Sequence, residues 1–291
     1  MPKSFFAAVG HDGLRLFSAD GSTWENKQTG KEGETYRGVA FGNGKCVAVG
    51  TYGGGNIFAV TVDRLTWKNT SQDGKYSRYV RGFGFGNGEF ICLGGDPGSV
   101  GLSRPFIVVS KTGETWTEPL EIAGKNILRR FAYGAGLFVG VGDRGRRAVS
   151  KDAREWKEAP EVKAIDTLVD VAFGNGVFVG VGLHGLRMAS TDGVTWTERQ
   201  TGEEGEHLNS VVWAKDKFVA VGSGATYLSS DGRKWERQAN ENAPTVVTYG
   251  NGKFVGASWK GRLLLSEDGV KWKETLKSPL HIEAVAWGEL E

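Results

Sequence analysis

A tryptophan that recurs about every 40 residues constrains the fold of this chain more than any other feature of its sequence. It closes a seven-residue segment that occurs seven times. Four copies share the pattern Ser-x-Asp-Gly-x-x-Trp, and three copies are degenerate. The seven tryptophans are Trp24, Trp67, Trp116, Trp156, Trp196, Trp235 and Trp272. A period near 40 residues is typical of the four-stranded blade of a β-propeller, so seven copies predict seven blades.

A second repeated segment predicts a hairpin in each blade. It reads FGNGKCVAVG at 41–50 and FGNGVFVGVG at 173–182, with variants in the other repeats. Asn-Gly between two apolar runs is a strong hairpin signal, because a type I′ turn needs positive φ at both central residues. No long segment has the period of a helix. The predicted strands of the first complete repeat are a at 37–41, b at 46–50, c at 57–61 and d from about Thr66.

The two ends of the chain predict how the last blade is completed. The chain opens with an apolar strand b at 5–10 and ends with a strand a at 283–288 that has no strand b after it. We expect these two strands to pair, because pairing removes exposed sheet edges. The predicted fold class is therefore all-β: one seven-bladed β-propeller domain over residues 1–291, with four antiparallel strands per blade and closure by the C-terminal strand.

Composition excludes several classes of function. The net charge of +2 gives no basic stripe for nucleic acid. No apolar run reaches the roughly 18 residues that cross a bilayer. Cys46 and Cys92 lie in apolar strand patterns and are predicted to be buried free thiols, with a bridge between them or a catalytic thiol as the alternative. No His or Cys spacing indicates a metal site, and no cofactor motif is present: Gly53, Gly54 and Gly55 lack the strand–loop–helix context of a phosphate loop. We expect a monomer. The compartment stays open, since a cleaved leader for secretion or the periplasm would leave no trace.

The repeated tryptophan segment resembles the Asp box of sialidases and related propellers, and the likeness extends over all seven repeats. The resemblance implies a turn between strands c and d, closed by Asp and Ser side chains, with the Trp packed between blades. The aspartates expected to have this structural role are Asp20, Asp63, Asp152, Asp192, Asp231 and Asp268. The chain is also similar to propellers of the photosystem II assembly-factor type, which are not enzymes.

The repeat geometry predicts where a binding site lies. The a–b and c–d turns are short and uniform, whereas the b–c loops and d–a connections vary and lie at the other end of each blade. Variable loops on a rigid scaffold usually carry function, so we expect the site at the mouth of the central channel on that side. The charged candidates there are Arg37, Arg81, Arg129, Arg130, Arg144, Asp170 and Glu283. The arginines either bind an anionic ligand or pair with neighbouring carboxylates, and the sequence leaves both open.

Aromatic and histidine residues fall in the same variable loops. Tyr52 and Trp259 could stack on a sugar or peptide or pack at the rim, and His11 and His184 are candidate ligand contacts or plain polar loop residues. The longest b–c loop, 95–105, is either a lid or partner-binding element or a neutral insertion.

Three functions are consistent with these residues. The favoured hypothesis is a non-catalytic binding or scaffold propeller that recognises an acidic ligand or a protein partner at the arginine-rich mouth. The first alternative is a sialidase-like glycoside hydrolase, which needs an arginine triad, an acid and a Tyr–Glu nucleophile pair. The second is a lectin-like propeller, which would repeat the same polar and aromatic residues in every blade. The loops differ from blade to blade, and no catalytic set is evident.

Overall fold

The computed structural model describes residues 3–70, 79–95, 103–124, 126–160, 163–240 and 242–291. Its strands form seven four-stranded antiparallel sheets, which are the blades of a seven-bladed β-propeller, as predicted. The helical content of the described residues is three short 3₁₀ turns, at Asp143–Gly145, Leu183–Gly185 and Trp259–Gly261. No helix in the described ranges is long and apolar enough to span a membrane.

The strands are numbered along the chain. Blade one contains β4 (Thr35–Gly42), β5 (Lys45–Tyr52), β6 (Gly55–Thr61) and β7 (Lys68–Asn69). Blade two contains β8 (Tyr79–Gly86), β9 (Glu89–Gly95), β10 (Phe106–Ser110) and β11 (Leu120–Glu121). Blade three contains β12 (Leu128–Gly134), β13 (Leu137–Gly142), β14 (Arg147–Ser150) and β15 (Lys157–Glu158). Blade four contains β16 (Leu168–Gly174), β17 (Val177–Gly182), β18 (Arg187–Ser190) and β19 (Thr197–Gln200).

The remaining blades follow the same order. Blade five contains β20 (His207–Ala214), β21 (Lys217–Ser223), β22 (Ala225–Ser229) and β23 (Glu236–Ala239). Blade six contains β24 (Val246–Gly250), β25 (Lys253–Ser258), β26 (Arg262–Ser266) and β27 (Lys273–Lys277). Blade seven contains β28 (Ile282–Glu289), β1 (Ser4–Gly10), β2 (Arg15–Ser18) and β3 (Glu25–Gln28).

The chain divides into two compact units. The first comprises Met1–Cys92, Val108–Pro119 and Val246–Glu291 and carries blades one, six and seven. The second comprises Leu93–Ile107 and Leu120–Thr245 and carries blades three, four and five. That residues 1–291 form a single domain stays a prediction.

The C-terminal strand completes blade seven, as the sequence predicts. β28 pairs antiparallel with β1, with Trp287 opposite Phe6 and Val285 opposite Ala8. In blade one the predicted strands a, b and c are confirmed, each one or two residues longer than expected at one or both ends. Strand d begins at Lys68 rather than near Thr66, because the Thr66 amide donates to the Asp63 carboxylate and so belongs to the preceding turn.

Neighbouring blades within each unit pack an aromatic ring onto a glycine. A Cβ on Gly174, at the end of β16, would lie 2.1 Å from the Trp213 ring of β20. In the first unit, Trp287 covers Gly250 at the same small separation, and Phe41 covers Gly288. This contact explains the repeated aromatic-Gly pair that precedes each Asn-Gly turn, because the ring of one blade needs a residue without a side chain beneath it.

The c–d turns are closed by their own side chains. In blade four, Asp192 Oδ1 accepts hydrogen bonds from the amides of Val194 (2.8 Å) and Thr195 (2.7 Å), while Ser190 Oγ accepts from the Gly193 amide (2.8 Å). The carboxylates with the same two amide bonds are those of Asp20, Asp63, Asp152, Asp231 and Asp268. Blade two has Thr112 at this position, and its hydroxyl accepts the equivalent bonds.

In blades one and two, the tryptophan after the c–d turn packs on the preceding blade. Trp67 of blade one stacks on Phe17 of blade seven, with ring centroids 5.8 Å apart. Trp116 of blade two lies 4.6 Å from Phe58 of blade one. Both contacts lie within the first unit, and they explain why the tryptophan is the most constant residue of the repeat.

Hydrogen bonds lower the pKa of all six turn aspartates. For Asp63, Asp152 and Asp231 the largest effect is the bond from the amide three residues further on. Burial, which by itself would raise the pKa, is the largest single effect on the other three, and their hydrogen bonds together outweigh it. These three are Asp20, Asp192 and Asp268.

We expect acid to destabilise the fold through these turns. A carboxyl whose pKa is lower in the folded state than in the unfolded state contributes stability above its unfolded value, near 3.9, and loses that contribution as the pH falls through the folded value. The free energy of unfolding should therefore be flat near neutral pH and fall steeply below about pH 4. Urea unfolding at a series of pH values measures this dependence.

A matched pair of variants tests whether the c–d turn aspartates cause the loss of stability in acid. Asp192→Asn removes one titrating turn carboxylate and should reduce the slope of stability against pH below pH 4. Asp216→Asn changes an exposed aspartate of an a–b turn and should leave that slope unchanged. Equal slopes in the two variants would contradict a role for the c–d turns in acid unfolding.

Candidate functional site

The b–c loop and the d–a connection lie at one end of each blade, opposite the a–b and c–d turns; we call this the loop end. Four b–c loops place a non-glycine residue at positive φ at their tip. These residues are Asp12 (φ 50°), Arg144 (53°), His184 (59°) and Lys260 (61°). Such backbone is uncommon for non-glycine residues, and it fixes how the tip side chain leaves each loop.

In the first unit, the loop ends of blades six, seven and one carry a continuous row of contacting side chains. Trp259 stacks on His281, with ring centroids 5.5 Å apart and planes at 17°. His281 meets His11 edge-on at 5.1 Å, and His11 Nε2 lies 2.9 Å from Glu283 Oε1. Glu283 in turn lies 3.5 Å from Arg37 Nη1. We call these five residues the aromatic–arginine row.

The two ends of the aromatic–arginine row face solvent. Trp259 is 67% exposed, because only one face of its indole is covered by His281. The Arg37 side chain is 42% exposed, and in the described ranges its Nε and Nη2 atoms make no hydrogen bond. A guanidinium held by one nitrogen still offers a planar pair of donors to a carboxylate. The row therefore combines an apolar stacking surface with a positioned cation.

Two further candidates of the first unit lie apart from these contacts. Tyr52, at the end of β5, is 40% exposed, and Lys31 Nζ lies 5.6 Å from its ring centroid. Arg81 is the third residue of β8 and is partly buried. Most of the predicted lid or partner loop 95–105 falls on residues 96–102, which lie outside the described ranges.

In the second unit, two of the three arginine candidates contact other protein groups. Arg129 Nε pairs with the Asp143 carboxylate, and Arg130 Nη1 donates to the Arg129 carbonyl (3.1 Å). Arg144 is exposed at the tip of the b–c loop of blade three. The observed contact of Arg129 is of the kind expected if the arginines pair with neighbouring carboxylates.

Asp170 links two blades of the second unit. Its Oδ1 accepts from the Val171 amide and its Oδ2 from the Val211 amide of β20, each at 2.9 Å. Burial raises the pKa of Asp170, against the opposing effects of Arg130 and these hydrogen bonds. A ligand at Asp170 would have to compete with the backbone of blades four and five.

His184 lines a cavity that the sequence did not indicate. The backbone amide of His184 donates to His207 Nδ1 (3.1 Å), and the two imidazole centroids are 5.4 Å apart. The cavity has a volume of about 270 Å³, and Ile165, Leu183 and Glu204 also line it. A repeated segment, Gln-Thr-Gly-x-Glu-Gly-Glu at 28–34 and 200–206, is the signal that could have found it.

The comparisons with known proteins agree on the class of fold. The DUF6242 β-propeller domain family matches residues 171–284 of this chain. No curated protein matches. The structure of YCF48 bound to D1 peptide is similar, with a TM-score of 0.65 and 15% identity over 97% of this chain and 88% of that chain.

Two further solved structures are similar to this chain. Saccharomyces cerevisiae Sqt1 gives a TM-score of 0.66 with 11% identity, covering 96% of this chain and 84% of that chain. The computationally designed Ika8 protein gives 0.60 with 12% identity, covering 96% and 89%. At such low identities the likeness shows a β-propeller fold alone. The resemblance of the c–d turns to the Asp box of sialidases stays a prediction at the level of family.

Proposed function

We propose that this chain is a non-catalytic β-propeller that binds a protein partner at the loop ends of its blades, with an acidic segment of the partner on the aromatic–arginine row. The observation that carries the proposal is the contact series from Trp259 to Arg37. An exposed indole and a guanidinium with free donors are the residue types that dominate protein recognition sites. The neighbour YCF48, solved with a peptide, supports a protein ligand for this fold.

A Tyr–Glu pair of the described residues bears on the glycoside hydrolase alternative, but it is buried. Tyr227 donates to Glu206 Oε2 at 2.6 Å, which is the pair of residue types that a sialidase-like reaction would need. Both residues are 3% exposed. Burial and the bond to Glu206 raise the pKa of Tyr227, which opposes formation of a phenolate nucleophile. A panel of chromogenic glycosides should accordingly give no turnover.

We expect peptides selected on this protein from a random phage-displayed library to carry Asp or Glu. These peptides should lose affinity when residues of the aromatic–arginine row are substituted. Trp259→Ala should weaken their binding about 30-fold and Arg37→Ala about tenfold, because buried aromatic and arginine contacts carry most of the energy of such interfaces. Fluorescence anisotropy with the labelled selected peptides measures both effects.

Two variants in c–d turns, at the end of the blade opposite the loop end, serve as controls. Leu65→Ala removes an apolar side chain that is 61% exposed in the c–d turn of blade one, and Arg233→Ala removes an exposed arginine in that of blade five. Both should bind the selected peptides like the parent protein. Selected peptides without acidic residues, or peptides that bind Trp259→Ala and Arg37→Ala unchanged, would overturn the proposal.

A further inference from the structure

The chain contains two copies of one loop pair. Residues 10–15 and 28–34 form the first copy, in the first unit, and residues 182–187 and 200–206 form the second copy, in the second unit. In the first copy the amide of Gly30 donates to the Asp12 carbonyl (2.8 Å), and in the second copy Gly202 donates to the His184 carbonyl (2.9 Å). The two copies therefore have the same backbone framework.

The same glutamate closes the d–a connection in both copies. Glu34 Oε2 accepts from the Lys31 amide at 2.8 Å, and Glu206 Oε2 accepts from the Glu203 amide at 3.0 Å. Gln28 and Gln200, which begin the two copies of the repeated segment, each donate to a carbonyl in the c–d turn of the next blade. The repeated residues thus hold the loops in place and explain why the segment occurs twice.

The residues that differ between the copies line the cavity of the second copy. Leu183, His184 and Glu203 stand where the first copy has His11, Asp12 and Lys31. In the first copy Asp12 Oδ1 accepts from the Gly33 amide (2.9 Å) and joins the two loops. His184 takes the place of that carboxylate in the second copy, and its amide bonds to His207 instead. The differences make the second copy both more apolar and more acidic.

Two large apolar side chains stand exposed on the wall of this cavity. Ile165 is 66% exposed and Leu183 39% exposed, and both line the same space of about 270 Å³. Exposed apolar side chains that converge on one concave surface are typical of a contact site for another molecule.

Arg199, which lines the cavity, and Arg237 beside it are already paired. Arg199 Nε lies 2.8 Å from Asp166 Oδ1. Arg237 Nη2 lies 2.8 Å from Glu203 Oε2 and 2.5 Å from Glu206 Oε1, so one guanidinium serves two carboxylates. Arg187 acts electrostatically on Glu206 as well, and Arg147 on Asp166, so these three carboxylates are compensated within the protein.

Glu204 is the second carboxylate that lines the cavity, after Glu203. Among the described residues it has no hydrogen bond or ion pair. The charged side chains that line the cavity are one guanidinium, that of Arg199, and two carboxylates, those of Glu203 and Glu204, which gives the lining a net charge of −1. Charge complementarity selects a cation as occupant, and the apolar wall selects one on an aliphatic stem.

We infer that this cavity receives a lysine or arginine side chain of the protein partner. The methylene groups would lie on Ile165 and Leu183, and the charged end would meet the carboxylates of Glu204 and Glu203. The inference rests on the proposed function in that the occupant belongs to a protein, but it uses none of the residues of the aromatic–arginine row.

The test uses acetylated and amidated Gly-Gly-X-Gly-Gly peptides titrated into the ¹⁵N-labelled protein. With X as lysine or arginine, we expect chemical-shift changes at the amides of residues 183–186 and 203–205. Glu204→Gln should weaken this binding about fivefold, the effect of a partly exposed ion pair. Glu32→Gln, the same substitution at the equivalent position of the first copy, should leave the dissociation constant unchanged.

Three results would overturn the cavity's assignment. The first is the absence of chemical-shift changes at the amides of residues 183–186 and 203–205. The second is binding of norleucine or glutamate peptides as tight as that of the lysine peptide. The third is an equal loss of affinity in Glu204→Gln and Glu32→Gln. If one of these results were found and acidic peptides still bound at Trp259, the proposed function would stand. Loss of acidic binding at Trp259 with lysine binding intact would overturn only the proposed acidic site.

Discussion

Removal of residues 282–291 is expected to lower the melting temperature by more than about ten degrees or to prevent folding. β28 is the first strand of blade seven and pairs with β1 along the whole length of that strand, from Ser4 opposite Glu289 to Gly10 opposite Ile282. The deletion would leave the edge of β1 that faces β28 unpaired, while β1 stays paired with β2 on its other edge, and it would remove the buried side chains of Ile282 and Leu290. Unpaired backbone and uncovered apolar surface each cost stability.

Differential scanning calorimetry measures the effect, with removal of Glu291 alone as the control. That residue contributes one backbone hydrogen bond, to the Gly44 carbonyl (3.1 Å), so its loss should shift the transition by a few degrees at most. A 1–281 chain that unfolds cooperatively at the parent temperature would contradict the role given to the C-terminal strand.

Gly182→Ala is expected to destabilise the protein by about 3 kcal/mol. A Cβ at this position would lie 2.0 Å from the carbonyl oxygen of Thr167, in the d–a connection that leads into β16. The Thr167 carbonyl accepts a hydrogen bond from the Leu183 amide (3.3 Å), and a backbone oxygen held in this way cannot move aside as a flexible side chain can. The glycines with the same contact at the end of strand b are Gly10, Gly50, Gly142, Gly182 and Gly222.

Blade six shows how a side chain can replace this glycine. Ser258 ends its strand b, and its φ of −135° differs from the −173° of Gly182. Gly55→Ala is the control for the substitution, because a Cβ there would meet nothing nearer than 3.7 Å. Urea unfolding of both variants compares the two effects. A Gly182→Ala protein as stable as Gly55→Ala would contradict the packing described for the b–c junction.

The fold could be predicted because its signals are local and repeated. Each Asn-Gly turn needs two residues at positive φ, and Asn175 and Gly176 adopt φ of 48° and 74°. The period of about 40 residues between tryptophans fixed the number of blades. The predicted start of strand d in blade one, near Thr66, differs from the observed start at Lys68. The Thr66 amide donates to the Asp63 carboxylate and so belongs to the turn, but the sequence pattern does not separate the end of this turn from the start of the strand.

The candidate site could be predicted only in part, because its contacts join loops that are distant in sequence. The sequence predicts His11, Glu283, Arg37 and Trp259 as separate candidates. The structure joins them in one row, with His281 between Trp259 and His11. Asp170 shows the opposite outcome, as its oxygens bond to backbone amides that no sequence pattern points to.

The cavity beside His184 has no direct signal in the sequence, for a physical reason. Ile165 and Leu183 look like ordinary apolar residues at the edges of strands, and only their exposure distinguishes them. The twofold occurrence of Gln-Thr-Gly-x-Glu-Gly-Glu was the available signal, because comparing two copies of one loop separates framework residues from residues that line a surface.

The most direct test of the proposed function is a crystal structure of the protein with an acidic peptide selected on it. We predict a peptide carboxylate within hydrogen-bonding distance of the Arg37 guanidinium and a peptide side chain on the open face of the Trp259 indole. A peptide bound instead along the c–d turns, with Arg37 and Trp259 untouched, would contradict the proposal.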